Sequence, residues 1–175
     1  MRLARDSRFR KIVGLDSSGD AIRAAGIRLR ESGVPDAAPV SLIHGTFTEP
    51  DERLVGFDAA AMVETIEHIE PDRLSGVEKA VFACYRPRTV IMTTPNREYN
   101  DLLGVPRRRL RHPDHRFEWT RAKFRSWADG VAARNGYRAS FGDLGGAHPS
   151  LGGPTQMAVF SLGGGPAGPL PVTGT

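Results

Sequence analysis

Phe57-Asp-Ala-Ala-Ala-Met-Val-Glu-Thr-Ile-Glu-His68 joins an almost unbroken apolar run to an abrupt cluster of two acids and a histidine. The run 57–63 has the pattern of a strand buried on both faces, which is how strands of a parallel sheet read. The polar cluster then falls at that strand's carboxyl end. Toward the N-terminus, residues 11–15 form a short apolar run ending in Asp16, and 20–31 read as a helix with Asp20 at its N-cap. Ser32-Gly33 stops that helix before Pro35, and 40–43 is a further strand.

Toward the C-terminus, Asp72 caps a helix running to about residue 83, closed by Pro87. A strand at 89–93 leads into a Pro95-Asn96 turn and then an irregular stretch as far as Trp119. Thr120 caps an amphipathic helix over 120–135, ended by Gly136, and strands at 138–141 and 156–162 flank a Gly/Pro-rich loop. Strands alternating with helices imply an α/β domain over 1–162 with a mostly parallel sheet and an antiparallel hairpin at one edge. Residues 163–175, rich in Gly and Pro and without charge, read as a disordered tail.

In open parallel sheets ligands bind beyond the carboxyl ends of the strands, so Asp16, Glu64 and the stretch 94–96 draw notice. Asp16 is placed to accept hydrogen bonds from a nucleoside ribose, or simply to cap the next helix. If the chain turns helical after residue 63, then Glu64, Glu67 and His68 share a face and converge on one ion. Two carboxylates and an imidazole suit Mg²⁺, Mn²⁺, Co²⁺ or Fe²⁺, and the alternative is a solvated helix face. His112-Pro-Asp-His-Arg-Phe-Glu-Trp-Thr-Arg121 adds a second cluster, from which His115 could complete a site of two glutamates and two histidines. Phe117 and Trp119 read as core anchors for the following helix in preference to base-stacking residues.

The chain carries 24 Lys+Arg against 20 Asp+Glu. Between residues 86 and 125 there are eleven basic and four acidic residues, an excess of +7 against +4 overall. That suits a surface facing a polyanion, with Arg107, Arg108, Arg109, Arg111 and Arg121 as phosphate contacts; the alternative is ordinary solvated arginine. A single cysteine, Cys84, excludes an internal disulfide and a cysteine zinc cluster, and its apolar surroundings predict a buried, inert thiol. No apolar run reaches the ~20 residues of a membrane span, and the arginine-studded N-terminus lacks a signal-peptide pattern, so a cytoplasmic protein is expected by default.

Three stretches together carry a resemblance: Glu-Thr-Ile-Glu-His at 64–68, Thr-Thr-Pro-Asn-Arg-Glu-Tyr-Asn at 93–100 and Arg-His-Pro-Asp-His-Arg-Phe-Glu-Trp-Thr-Arg at 111–121. They resemble the small-RNA 3′-terminal 2′-O-methyltransferases, over roughly residues 9–160 and in the family's order and spacing. The bacterial branch, whose members work with an RNA-repair kinase-phosphatase-ligase, looks most similar, notably at 57–61 and 154–160.

The resemblance implies a Rossmann-like domain that uses S-adenosylmethionine to methylate the 2′-hydroxyl at an RNA 3′ end, in small-RNA silencing or RNA repair. It implies that Glu64, Glu67, His68 and His115 hold Mg²⁺, Mn²⁺ or Co²⁺ against the terminal 2′- and 3′-hydroxyls. Asp16 matches the acid that grips the cofactor ribose, with Ser17 and Gly45-Thr46-Phe47 nearby. His112 is the candidate proton acceptor, with a metal-bound hydroxide as the alternative. The family's first strand and Asp-x-Gly-Cys-Gly-like loop have no counterpart here. A late gene start, a fragment or a broken methyl-donor site is therefore expected, with poorer folding and weak cofactor binding. Three other classes stay open: a non-catalytic RNA-end-binding module, a methyltransferase for a small diol such as a catechol, and a metallohydrolase.

Overall fold

The computed structural model describes residues 3–33, 39–146 and 148–163. Six strands form two sheets: β1 (Ile12–Asp16) pairs in parallel with β2 (Val40–His44), and β3 (Ala59–Val63), β4 (Thr89–Pro95), β6 (Thr155–Leu162) and β5 (Tyr137–Leu144) lie side by side in that order. β3 and β4 are parallel, and β6 runs antiparallel to both β4 and β5. β6 alone therefore opposes the direction of the larger sheet, and the α/β architecture with a mostly parallel sheet is the one expected.

The hairpin strand β5 is longer than the 138–141 read from the sequence, because Gly142 and Asp143 continue the ladder against Met157 and Gln156. Gln156 is held at the sheet's carboxyl edge, its Nε2 donating to the carbonyls of Pro95 and Trp119 at 3.0 and 2.9 Å.

The core lies on the larger sheet. Met92, Val90, Ala158 and Phe160 project from β4 and β6 against Val77, Val81 and Phe82, and against Phe124, Ala128 and Val131 of helix α3 (Arg121–Asn135). Thr120 caps α3, accepting from the Lys123 amide, and Gly136 ends it at φ 75°, a left-handed position glycine takes without strain. Phe117 and Trp119 are buried and stacked, with ring centroids 4.3 Å apart, and belong to this core.

Three sequence expectations need correction. The helix expected from Asp72 to residue 83 begins as a 3-10 turn at Pro71–Arg73, passes through one α-helical turn, α2 (Leu74–Val77), and widens into a π-helix at Glu78–Tyr85. Val77 and Phe82 are both fully buried. Five residues apart, they would diverge by roughly 140° on an α-helix but share a face in a π-helix. Cys84 is exposed rather than buried, since it falls on the outward side of that π-helix. The helix α1 (Gly19–Glu31) is capped by Ser18, whose side chain accepts from the Ala21 amide, not by Asp20.

The larger correction concerns β3. The sequence reads 57–63 as buried on both faces, yet Ala59, Ala61 and Val63 are exposed and only Met62 is buried. The cause is topological. Among the described residues β3 pairs with β4 alone and β1 with β2 alone, so each presents one unpaired edge. The Lys11 ammonium lies 5.0 Å over the Phe57 ring, a contact between the segments that lead into β1 and β3.

Among its described residues the β1–α1–β2 unit has one buried hydrophobic residue, Ile43, and α1 has none. Little apolar burial opposes its local opening. Its amides are expected to exchange with deuterium before those of β4, β6 and α3; equal protection throughout would show a single cooperative unit.

Candidate functional site

Three strand ends carry the polar residues. β3 stops at Val63, and Glu64 follows at φ 49°, a left-handed conformation that costs a glutamate energy and concentrates at functional sites. Its amide donates to the Thr93 carbonyl at 3.1 Å, and its Oε1 accepts from Thr93 Oγ1 at 3.1 Å, which ties the turn to β4. A 3-10 turn at Ile66–His68 follows, so Glu64 lies before the helical turn and not on one face with Glu67 and His68 as a continuous helix would place it.

Glu67, His68 and His115 come together: one ligand atom from each lies within 4.8 Å of the others. The His68 and His115 ring centroids are 4.9 Å apart. Glu64 stays outside that group, held by Thr93. Glu67 is fully buried; Thr94 Oγ1 donates to its Oε2 at 2.9 Å, while its Oε1 has no partner among the described residues. Burial, opposed by hydrogen bonds and reinforced by the charges of Glu64 and Glu118, pushes its carboxyl up to about 7.

A buried carboxylate with one oxygen lacking a donor, grouped with two imidazoles, is what a cation would satisfy. In the metal-free protein the sign follows directly. Folded Glu67 keeps its proton up to about pH 7 while the unfolded chain releases it near the ordinary glutamate value of 4.5, so stability falls between those pH values and levels off above. The melting temperature is expected to drop across that window, and Mn²⁺ is expected to raise it more at pH 8 than at pH 6. An equal rise at both would separate Glu67 from the ion.

His115 is set by Glu118, three residues on. Glu118 Oε1 lies 2.7 Å from His115 Nδ1 and accepts from the Arg111 amide at 2.6 Å, and Oε2 accepts from Asn100 Nδ2 at 2.6 Å. Burial alone would raise the Glu118 carboxyl, but donors from Asn100, His115 and the Arg111 backbone outweigh it and hold it below the ordinary carboxylate range. His112 stands at the exposed mouth, its ring 6.2 Å from His68 and 5.6 Å from His115. The Asp114 amide approaches His112 Nδ1 at 3.2 Å, so the neutral ring carries its proton on Nε2 in this arrangement.

The arginines divide. Arg107, Arg108 and Arg109 are exposed beyond the 3-10 helix Arg97–Leu103, and Arg107 makes only a loose 3.9 Å approach to Asp101. Arg111 is committed to the protein: it donates to Asn100 Oδ1 at 2.6 Å, to the Pro154 carbonyl at 2.7 Å and to the Asn96 carbonyl. Arg121 is paired with Glu98 at 2.7 Å and also donates to the Ser150 carbonyl at 2.7 Å. For these two the phosphate contact expected from composition competes with satisfied internal bonds. Sequence reasoning passed over Glu118 and Asn100, although both lie in the motifs at 93–100 and 111–121.

In the smaller sheet, β1 and β2 pair in parallel with Asp16 opposite His44. Asp16 Oδ1 accepts from the Ser18 amide at 2.8 Å, and the Ser17 carbonyl meets His44 Nε2 at 3.0 Å. Thr46 Oγ1 pairs with Thr48 Oγ1 at 2.8 Å, and Phe47 packs partly against the core. A Cβ at Gly76 would come 2.5 Å from the Thr48 carbonyl, so glycine there lets α2 support this loop. Asp16 and Ser17 thus stand at the carboxyl end of β1, and Thr46 and Phe47 just beyond that of β2.

Strands of this order with helices between them define the Rossmann-like fold of S-adenosylmethionine-dependent methyltransferases. One such methyltransferase from Methanosarcina mazei superposes with a TM-score of 0.63 at 14% identity, over 92% of this chain and 85% of that one. The methyltransferase domain of bacterial CtHen1 superposes with a TM-score of 0.82 at 42% identity, over 93% of this chain and 83% of that domain. The chain belongs to the small RNA 2′-O-methyltransferase family.

The small RNA 2′-O-methyltransferase of Mus musculus is 36% identical over 163 residues, 88% of this chain, and the chain spans 41% of that relative's length. A chain of the Pnkp1/Rnl/Hen1 RNA repair complex shares the fold, with a TM-score of 0.66 at 18% identity over 91% of this chain and 34% of that one. No family model matches. Among the described residues no helix is long and apolar enough to cross a membrane.

Proposed function

We propose that this chain is catalytic machinery for metal-dependent methyl transfer from S-adenosylmethionine to the 2′-hydroxyl of an RNA's 3′-terminal nucleotide, in the cytoplasm. The observation that carries this reading is the convergence of Glu67, His68 and His115 around an unpartnered, buried carboxylate oxygen at the sheet's carboxyl edge, in a chain of this family. Two imidazoles with a carboxylate favour Mn²⁺ or Co²⁺ over Mg²⁺, which prefers an all-oxygen octahedron. Bound there, the ion would stabilise the developing alkoxide and lower the pKa of the ribose hydroxyl.

The protein's own groups do the rest. Glu67, His68 and His115 would hold the ion beside the terminal ribose, with Glu64 next to them, and an internal nucleotide, its 3′-oxygen in a phosphodiester, would lack the second free hydroxyl. His112 takes the proton after giving up the Asp114 amide, since Nε2 is otherwise protonated. Arg107, Arg108 and Arg109 neutralise phosphates without reading sequence. Asp16 accepts from the cofactor ribose, with Ser17, Thr46 and Phe47 around the nucleoside.

Among the described residues, the open edges of β1 and β3 offer the methionine end of the cofactor no backbone cradle of the kind helix N-termini and glycine turns supply. Cofactor affinity of this chain is therefore expected to be weak, with a dissociation constant above micromolar by calorimetry. The same observation favours a second reading, a non-catalytic RNA-end-binding module. Tritiated methyl transfer from millimolar cofactor to an RNA with a free 3′ diol decides between them. Transfer in Mn²⁺ that EDTA abolishes supports the enzyme; tight RNA binding without any transfer supports the module. A relative's name includes an RNA repair complex with Pnkp1 and Rnl, which makes kinase-phosphatase and ligase partners the ones to test by co-purification.

A further inference from the structure

The metal reading uses His115 and leaves unexplained why a carboxylate is fully buried behind it. Glu118 is 2% exposed and Asn100 7%. The hydrogen bonds around them can run in only one direction. Arg111 Nε is a donor under all conditions, so Asn100 must present its carbonyl Oδ1 to it at 2.6 Å. That fixes the Asn100 amide, whose Nδ2 then donates to Glu118 Oε2 at 2.6 Å. The Arg111 amide, also an obligate donor, faces Glu118 Oε1 at 2.6 Å. Both carboxylate oxygens are thereby acceptors, and the nitrogen of His115 lying 2.7 Å from Oε1 must carry its proton there, on Nδ1. The lone pair of the neutral ring is left on Nε2.

We propose that Glu118 is a positioning residue that fixes His115 as the Nδ1–H tautomer, with Asn100 and Arg111 setting Glu118, so that an Nε2 lone pair is delivered toward Glu67 and His68. Only that tautomer offers a ligand at Nε2. The chain of bonds is anchored in the sheet, because Arg111 also donates to the carbonyls of Asn96 and Pro154, next to the ends of β4 and β6. The irregular segment between them thus acquires a defined ring orientation without regular secondary structure. The proposal rests on the reading of Glu67, His68 and His115 as an ion site for its purpose, but the tautomer is a property of the metal-free protein.

Two measurements separate the two claims. Long-range ¹H–¹⁵N correlation spectra of the metal-free chain report which nitrogen of His115 is protonated. The expected result is a single Nδ1–H tautomer in the wild type and a mixture or the Nε2–H form in Glu118→Gln, which keeps the shape but cannot accept on both sides. Co²⁺ titration followed by visible absorption is expected to show about 10- to 100-fold weaker binding in Glu118→Gln, with an unchanged melting profile showing that the variant is folded.

An Nε2–H tautomer in the wild type overturns the proposal, and this requires no variant. An unchanged tautomer or unchanged Co²⁺ affinity in folded Glu118→Gln overturns it as well, because Glu118 would then serve packing alone. A fixed Nδ1–H tautomer with no Co²⁺ binding in the wild type supports the positioning of His115 and sinks the ion.

Discussion

Glu67→Ala is expected to weaken Mn²⁺ binding by at least about 100-fold, since residues acting one step removed from a metal already cost 10- to 100-fold. The same variant is expected to raise metal-free stability near pH 8. It removes a buried carboxyl whose ionisation is disfavoured, its pKa lying at about 7, and whose Oε1 has no partner. The opposite signs are the informative part. A merely structural acid would lose stability on removal and leave metal affinity alone. Isothermal titration with Mn²⁺ and a thermal melt on the same preparations read both.

The second large effect divides the arginines. Arg111→Ala leaves the Oδ1 of Asn100 without its donor, takes one of two donors from each of the carbonyls of Asn96 and Pro154, which keep the amides of Tyr99 and Asn96, and removes a cation that interacts with the buried Glu118. Losing these bonds and leaving the buried Asn100 Oδ1 unsatisfied costs about 2–4 kcal/mol of stability. The triple replacement of Arg107, Arg108 and Arg109 by alanine is expected to leave the melting temperature within a degree or two. It should instead reduce RNA affinity evenly across sequences and flatten the dependence of binding on log salt by up to about three charges' worth. Denaturant unfolding and salt-titrated RNA binding, run on both variants, distinguish a structural arginine from a phosphate contact. A stable Arg111→Ala with a reduced salt slope would reverse the assignment.

Much of the architecture was legible because it rests on local signals. The alternation of apolar runs with capped helical segments fixed five of the strands to within a few residues, and Thr120 and Gly136 bracket α3 as expected. What escaped depended on neighbours that a single segment does not report. The apolar run at 57–63 has the composition of a doubly buried strand but lies at an open edge. The π-helix at Glu78–Tyr85 arises from tertiary packing of Val77 and Phe82, not from any propensity.

The site divides in the same way. Glu67, His68 and His115 are chemically conspicuous residue types beside strand ends, so their grouping could be expected. Glu64 could not be placed, because its direction is set by a left-handed backbone that sequence spacing does not reveal. Arg111 and Arg109 look alike in a basic run, yet one is anchored to three carbonyl oxygens and the other is exposed. Only the fold separates them. Glu118 was hidden among aromatics and reads as a surface acid until Asn100, eighteen residues earlier, is brought against it.

The most direct test is where the methyl group goes. A short RNA with a free 3′-terminal diol, incubated with this protein, Mn²⁺ and saturating S-adenosylmethionine, is then treated with periodate, which cleaves an intact vicinal diol and spares one whose 2′-oxygen is methylated. Full-length, periodate-resistant RNA is expected with Mn²⁺ and not with EDTA or with Glu67→Ala. RNA that stays periodate-sensitive under all conditions, or becomes resistant equally well in EDTA, would contradict metal-dependent methylation of the terminal 2′-hydroxyl.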